Sequence, residues 1–194
     1  MIRFYKIRIV TLFCFQLTFI SFITRSQSNN GGGTKISCDT GRVLKQFKHY
    51  FKDTLPTPKN YVSDYADIFT QEQENVLNQL SYSFDIKTTN QIAIVTFDTA
   101  MVAEKDFDSL AFYLFNAWRV GQKDKNNGIL IGICTGYRKI RIENGSGIVK
   151  VLPDASTKII IDSIIIPWYR KEDYFNGTLN GVKSIIQQLN VLQQ

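Results

Sequence analysis

The chain is short of the residues most catalytic chemistry needs. Histidine occurs once, at His49, and cysteine three times, at Cys14, Cys38 and Cys134. With a single histidine and none beside either later cysteine, neither cysteine catalysis nor a His/Cys zinc cluster is supported. No Walker loop, dinucleotide fingerprint or EF-hand spacing is present. Charge of one sign is also scarce once its location is considered. The formal charge is +6, but Arg3, Lys6, Arg8 and Arg25 fall in the first 26 residues with no acid beside them, so the rest of the chain carries +2. There lysines and arginines are interleaved with acids rather than gathered into a phosphate-tracking run, which excludes nucleic acid as a partner on composition.

What the N-terminus does have is an apolar run over residues 9–23 behind three basic residues, with Thr24 and Ser26 as small residues ahead of Gln27. This is the pattern of a secretory signal peptide spanning residues 1–26, cleaved before Gln27 or, given Arg25 beside the cut, kept as an uncleaved anchor. The expected location is exported, periplasmic or otherwise extracytoplasmic, with tethering through residues 9–23 as the variant. Cys14 lies inside the apolar run, where a lipoprotein cysteine would not. No second long apolar segment follows. Residues 27–60 read as a flexible extension with one short helix over 43–51, followed by Pro56 and Pro58, which hold the chain extended. The compact domain is expected from Tyr61 to the end, 61–194.

Inside that domain the periodicity defines elements. Thr70-Gln71-Glu72-Gln73 is a capping box for a helix over 71–84, striped by Val76, Leu77, Leu80 and Phe84. An Ile/Val-rich run over 91–97 predicts a strand covered on both faces. Phe107, Leu110, Ala111, Leu114, Phe115 and Trp118 stripe a second helix. Residues 128–134 form another strand. Thr135-Gly136 turns the chain, and 137–143 alternates Ile140 and Ile142 against Lys139, Arg141 and Glu143, as in an antiparallel strand with one wet face. A third helix opens at Pro153-Asp154 and ends before Pro167; Val182, Ile185, Ile186 and Leu189 stripe a fourth. Strand, helix, strand in that order implies a right-handed parallel crossover with the hairpin strand added antiparallel. The fold class is α/β, an αβα sandwich with a small mixed sheet flanked by helices.

This topology brings residues 119–127 and 144–152 to one sheet edge, where oxygen donors concentrate. Asp124, Asn126, Asn127, Glu143, Asn144 and Asp154, with Asp64 further off, are candidates for a hard divalent cation such as calcium, which takes six to eight oxygens. The open alternative makes 124–127 a solvated turn and Asp154 a first-turn helix charge. For an anion, the amides of Gly145, Ser146 and Gly147 are a candidate nest, with Arg138, Arg119, Lys123 and Lys150 as cationic helpers. Trp118 is expected in the core, and Trp168 and Tyr169 as an aromatic contact.

The ordered segments Asp64-Tyr65-Ala66-Asp67-Ile68-Phe69-Thr70, Gln91 to Thr96, Leu114-Phe115-Asn116-Ala117-Trp118-Arg119-Val120-Gly121, Lys123 to Leu130, Arg138 to Glu143, Gly145-Ser146-Gly147, Ile166-Pro167 and Asp173-Tyr174-Phe175-Asn176-Gly177 together resemble the TPM domain family, across about 61–190. The resemblance implies an αβα sandwich outside the cytoplasm. Relatives include a thylakoid lumen protein, a photosystem II repair protein and a nematode acetylcholine-receptor modulator. It further implies service to membrane or envelope proteins, and, by association with plant members, calcium binding and weak acid phosphatase activity. Tyr137 stands where an acid commonly precedes the arginine, and Ser146 where an aromatic commonly separates the two glycines. The resulting expectation is an interaction or maintenance module for membrane or envelope proteins, with a divalent cation as an optional companion and a metal-assisted phosphomonoesterase as the alternative.

Overall fold

The structure, a computed structural model, describes residues 40–191. The leader, Cys14, Cys38 and the tail over 27–36 lie outside the described residues.

In chain order the strands and α-helices are α1 (Thr40–Tyr50), β1 (Val62–Asp64), α2 (Gln71–Thr88), β2 (Gln91–Thr96), α3 (Phe107–Ala117), β3 (Gly128–Cys134), β4 (Lys139–Asn144), α4 (Ser146–Val149), α5 (Asp154–Ile160), α6 (Ile166–Tyr169) and α7 (Tyr174–Val191). Strands β2 and β3 follow from Ile/Val-rich runs and α2 from a capped, striped segment. The capping box forms: the Gln73 N–H donates to Thr70 Oγ1 and the Thr70 N–H to Gln73 Oε1. The helix it starts runs past the expected residue 84 to a left-handed cap at Thr89. Its buried face is Leu77, Ser81 and Phe84, whereas Val76, expected in the stripe, is 46% exposed.

The sheet order is β1-β2-β3-β4, with the first two pairings parallel and the last antiparallel. The hairpin and the parallel pairing of β2 with β3 are as the sequence predicts. Strand β1 is an addition: three residues are too few to show a period, and only pairing with Ile94, Val95 and Thr96 makes them a strand. One core, with Ile92, Ile94, Ile129, Ile131 and Ile142 from the sheet, lies under α2, α5 and α7. The other, with Val95, Phe97, Leu130 and Cys134, lies under α1 and α3. Helices α2 and α3 therefore cover opposite faces although both connections step the same way across the sheet. The two crossovers must then have opposite hands, a departure from the usual rule of right-handedness.

Two expectations are corrected here. The compact unit starts at α1, not at Tyr61: Leu44 and Phe47 are buried in the second core, Gln46 Nε2 donates to the Ala100 carbonyl at 2.9 Å, and Trp118 Nε1 donates to the Pro56 carbonyl at 2.8 Å. Residues 44–60 are held because, among the described residues, they cover the apolar surface that α3 and β2 leave. Second, the helical path does not end before Pro167. A π turn over Ile161–Ile165 joins α5 to α6, with the Ile166 N–H donating to the Ile161 carbonyl. A proline ring clashes with the carbonyl four residues earlier, and the wider π turn relieves that clash without ending the helix. The path then lies against α7, where a Cβ on Gly181 would come within 2.6 Å of Ile165 Cδ1 and one on Gly177 within 2.6 Å of the Tyr169 ring.

Candidate functional site

The loop before β3 and the segment after β4 do meet. The Gly145 N–H donates to the Gly128 carbonyl at 2.9 Å and the Gly147 N–H to the Asn126 carbonyl at 3.0 Å. Glycine is required at Gly147, since a Cβ there would sit 2.1 Å from the Lys125 carbonyl oxygen. Asn126 takes a positive φ of 47°, which asparagine tolerates better than most residues and which turns its carbonyl toward Gly147.

Asn127 is the centre of this edge. It is 5% exposed, its Nδ2 donates to the Thr89 carbonyl at 2.8 Å and to Asn90 Oδ1 at 3.1 Å, and its Oδ1 accepts from the Gln122 N–H at 2.8 Å. Both functions of the amide are engaged, so Asn127 is a clamp between the α2–β2 turn and the loop before β3. Lys125 Nζ reinforces it by donating to Thr89 Oγ1 at 2.8 Å. Asn144 does the same work on the next strand: its Nδ2 donates to Thr157 Oγ1 at 2.8 Å and to the Leu152 carbonyl at 3.2 Å. Thr89 and Asn90 escaped the sequence reading; a polar Thr-Thr-Asn run after a helix reads as a cap, and only the fold brings it to Asn127.

The seven proposed cation ligands do not form one shell. Asp64 is at the opposite edge, paired in register with Thr96 at the far end of β2, while the loops gather at Gln91 and Gly128. Five residues of strand separate them, about 17 Å. There its carboxylate accepts from the Thr96 hydroxyl and from the Phe69 N–H at 2.8 Å, closing the turn into α2. Glu143 lies on the α3 side of β4, its side chain 11% exposed, with Oε1 receiving Arg141 Nε at 2.7 Å. That contact, ahead of any other influence, holds the guanidinium pKa above its ordinary value. The face expected to be wet is so at Arg141 and, in part, at Lys139, whereas Glu143 is drawn under cover. Asp124, Asn126 and Asp154 are exposed. Among the described residues no group of three His, Cys, Asp or Glu side chains is placed to share an ion. With Asn127 and Glu143 engaged and Asp64 remote, the set does not fit calcium's six to eight oxygens.

The anion cluster also divides. Arg138 sits in the β3–β4 hairpin at φ 52°, at the edge away from Gly145, Ser146 and Gly147. Instead of a nest, these glycine amides are bonded to protein carbonyls, and Ser146 begins α4.

Residues 62–188 match the TPM domain. The chain belongs to that family. Its TPM domain is similar to the solved N-terminal domain of a protein from P. gingivalis, with TM-score 0.62 and 28% identity, covering 68% of this chain and 82% of that one. The N-terminal domain of cg2496 from Corynebacterium glutamicum superposes with TM-score 0.52 at 12% identity, over 70% of this chain and 83% of that one. The BA42 protein from the psychrophilic bacterium Bizionia argentinensis gives 0.55 at 18%, over 64% and 83%. No curated protein matches the chain. In this TPM domain Tyr137 has a structural role: its hydroxyl donates to the Val102 carbonyl at 3.1 Å, fastening the hairpin to the loop after β2.

Proposed function

We propose that this TPM domain is a docking and maintenance module that acts on membrane or envelope proteins outside the cytoplasm. The observation that carries the proposal is the distribution of exposed apolar side chains. Of the eight exposed large apolar side chains among the described residues, Tyr50 on α1 and Phe112 on α3 are on one face, while Val76, Tyr82, Ile86, Val149, Ile159 and Val191, from 36% to 66% exposed, lie on α2, α4, α5 and α7 on the other. Shallow concavities on these helices are lined by Asn75, Gln79 and Ser83 and by Ser156, Ser184 and Gln188. Aliphatic groups set among amides and hydroxyls suit protein contact better than turnover of a small charged substrate. No helix among the described residues is long and apolar enough to cross a membrane, so membrane proximity rests on the leader pattern.

A divalent cation is not required by this proposal. The metal-assisted phosphomonoesterase ranks below it, because Arg138 and the Gly145–Gly147 turn are on different edges and the glycine amides are engaged. The test is photo-crosslinking in intact cells from a probe at Ile159 of the full chain. Adducts with membrane-embedded proteins, lost when Val76 and Ile86 become aspartate, are expected. Adducts confined to soluble proteins, or phosphomonoester turnover dependent on added calcium, would reverse the ranking.

A further inference from the structure

The two edges of the sheet are finished differently. At β1 the outward N–H of Val62 donates to Asn78 Oδ1 at 2.9 Å, so α2 closes that edge with a side chain. At β4 the register, with Ile131 opposite Ile142 and Gly132 opposite Arg141, combines with the Gly145 N–H to Gly128 carbonyl bond to turn residues 139, 141 and 143 toward β3. The N–H and C=O groups of Ile140 and Ile142 therefore face away from the sheet. Among the described residues nothing pairs with them.

Unpaired strand edges recruit strands unless something prevents it, commonly charged side chains or a proline. Strand β4 has no proline, and its charges are self-complementary rather than repulsive toward a second copy. Its charged face reads Lys139, Arg141, Glu143, of mixed sign, and Ile140 on the opposite face is only half-buried. We propose that β4 pairs antiparallel with β4 of a second copy, about a two-fold axis at Ile142, to make a continuous eight-stranded sheet. In this register Ile142 faces its own counterpart, both exchanging main-chain hydrogen bonds, and Arg141 lies opposite Glu143 of the partner subunit, twice by symmetry. The Arg141–Glu143 pair within each strand then becomes part of a four-membered alternating cluster. The register one step away puts two Arg141 guanidinium groups against each other and is disfavoured for that reason. This self-complementary charge pattern selects a second copy over an unrelated strand.

Residues 40–194 hold every described element and both cores, so sedimentation equilibrium on that fragment is a suitable assay, with reductant present and folding followed by circular dichroism. The wild type is expected to dimerise reversibly at tens to hundreds of micromolar. Ile140→Pro removes an N–H that points away from β3, so it should leave the monomer folded and abolish the dimer. Arg141→Glu should weaken the dimer tenfold or more, and Arg141→Glu with Glu143→Arg should restore it, since the swap regenerates each pair within and between strands. A wild type that stays monomeric throughout this range overturns the proposal, as does a folded Ile140→Pro that still dimerises. If Ile140→Pro does not fold, the charge swap decides: failure of the double variant to recover beyond Arg141→Glu overturns it.

Discussion

Asn127 and Asp124 were equal candidates as ligands, and their environments now separate them. Truncating Asn127 to alanine leaves the part-buried Gln122 N–H and Thr89 carbonyl and the buried Asn90 Oδ1 without this partner, and an unsatisfied buried group costs about 1–3 kcal/mol. Urea unfolding of Asn127→Ala is expected to show a loss of about 2–4 kcal/mol, against less than about 0.5 kcal/mol for exposed Asp124→Ala. Equal losses would mean Asn127 is not a clamp. Titration follows the same logic of surroundings. Burial pushes the Cys134 thiol above its ordinary value, so a disulfide reagent at pH 8 should leave it unmodified in the native state and react on unfolding. Glu74 is also raised, chiefly by desolvation and then by Asp64. A raised carboxyl means the folded chain keeps its proton longer than the unfolded one, so stability drains as pH climbs through the carboxylate range. Glu74→Gln should flatten that part of the pH–stability curve slightly, and a steeper curve would contradict the assignment.

Helix α1 and the α5–α6 path are the elements whose behaviour differs most from their sequence pattern. An isolated 11-residue helix is marginal in water, so α1 persists because Phe47, fully buried, meets Phe97 edge-on at 6.0 Å and Phe51 at 5.0 Å. Phe47→Ala should cost about 3–5 kcal/mol in thermal or urea unfolding, the range for a buried aromatic; a loss near zero would return residues 40–60 to the status of a tail. On the other face, Gly181→Val forces a branched side chain against Ile165. A loss of about 1–3 kcal/mol is expected, mitigated if the Ile165 tip can rotate away. The capping box and the alternation of β4 were readable because each depends on neighbours within a few residues. Strand β1 and the π turn were not, because one needs β2 beside it and the other needs α7 to hold a proline-bearing helix in place.

At the scale of the whole molecule, the two cores share one four-stranded sheet and should melt together. Trp118 packs on the α1/α3 face and Trp168 lies on α6 beside α7, so each tryptophan reports one face. Single-tryptophan variants, Trp118→Phe and Trp168→Phe, are expected to give superimposable urea transitions. Separated midpoints would show that the faces unfold independently. The opposite hands of the two crossovers belong to this scale too. A β-α-β pattern supplies the preference for a right-handed turn, but β1 sits next to β2 on the side away from β3, and two covered faces then require one connection to break the preference.

By itself, the sequence determined the α/β class, the strands over 91–97 and 128–134, the hairpin, the capped start of α2, the family and the convergence of the two polar loops. These depend on short-range periodicity, turn chemistry and chain order, all of which are written along the chain. Only the tertiary structure decided which polar groups remained available. Asn127 and Asn144 became clamps, Glu143 was drawn to Arg141, and Asp64 and Arg138 went to the far edge of the sheet. Residue type advertises an oxygen or a cation, but whether a ligand can use it depends on the partners the fold sets beside it, such as Thr89 at Asn127 and Thr157 at Asn144. Burial makes those partnerships obligatory, since an unpaired polar group inside the protein costs more than the bond that satisfies it.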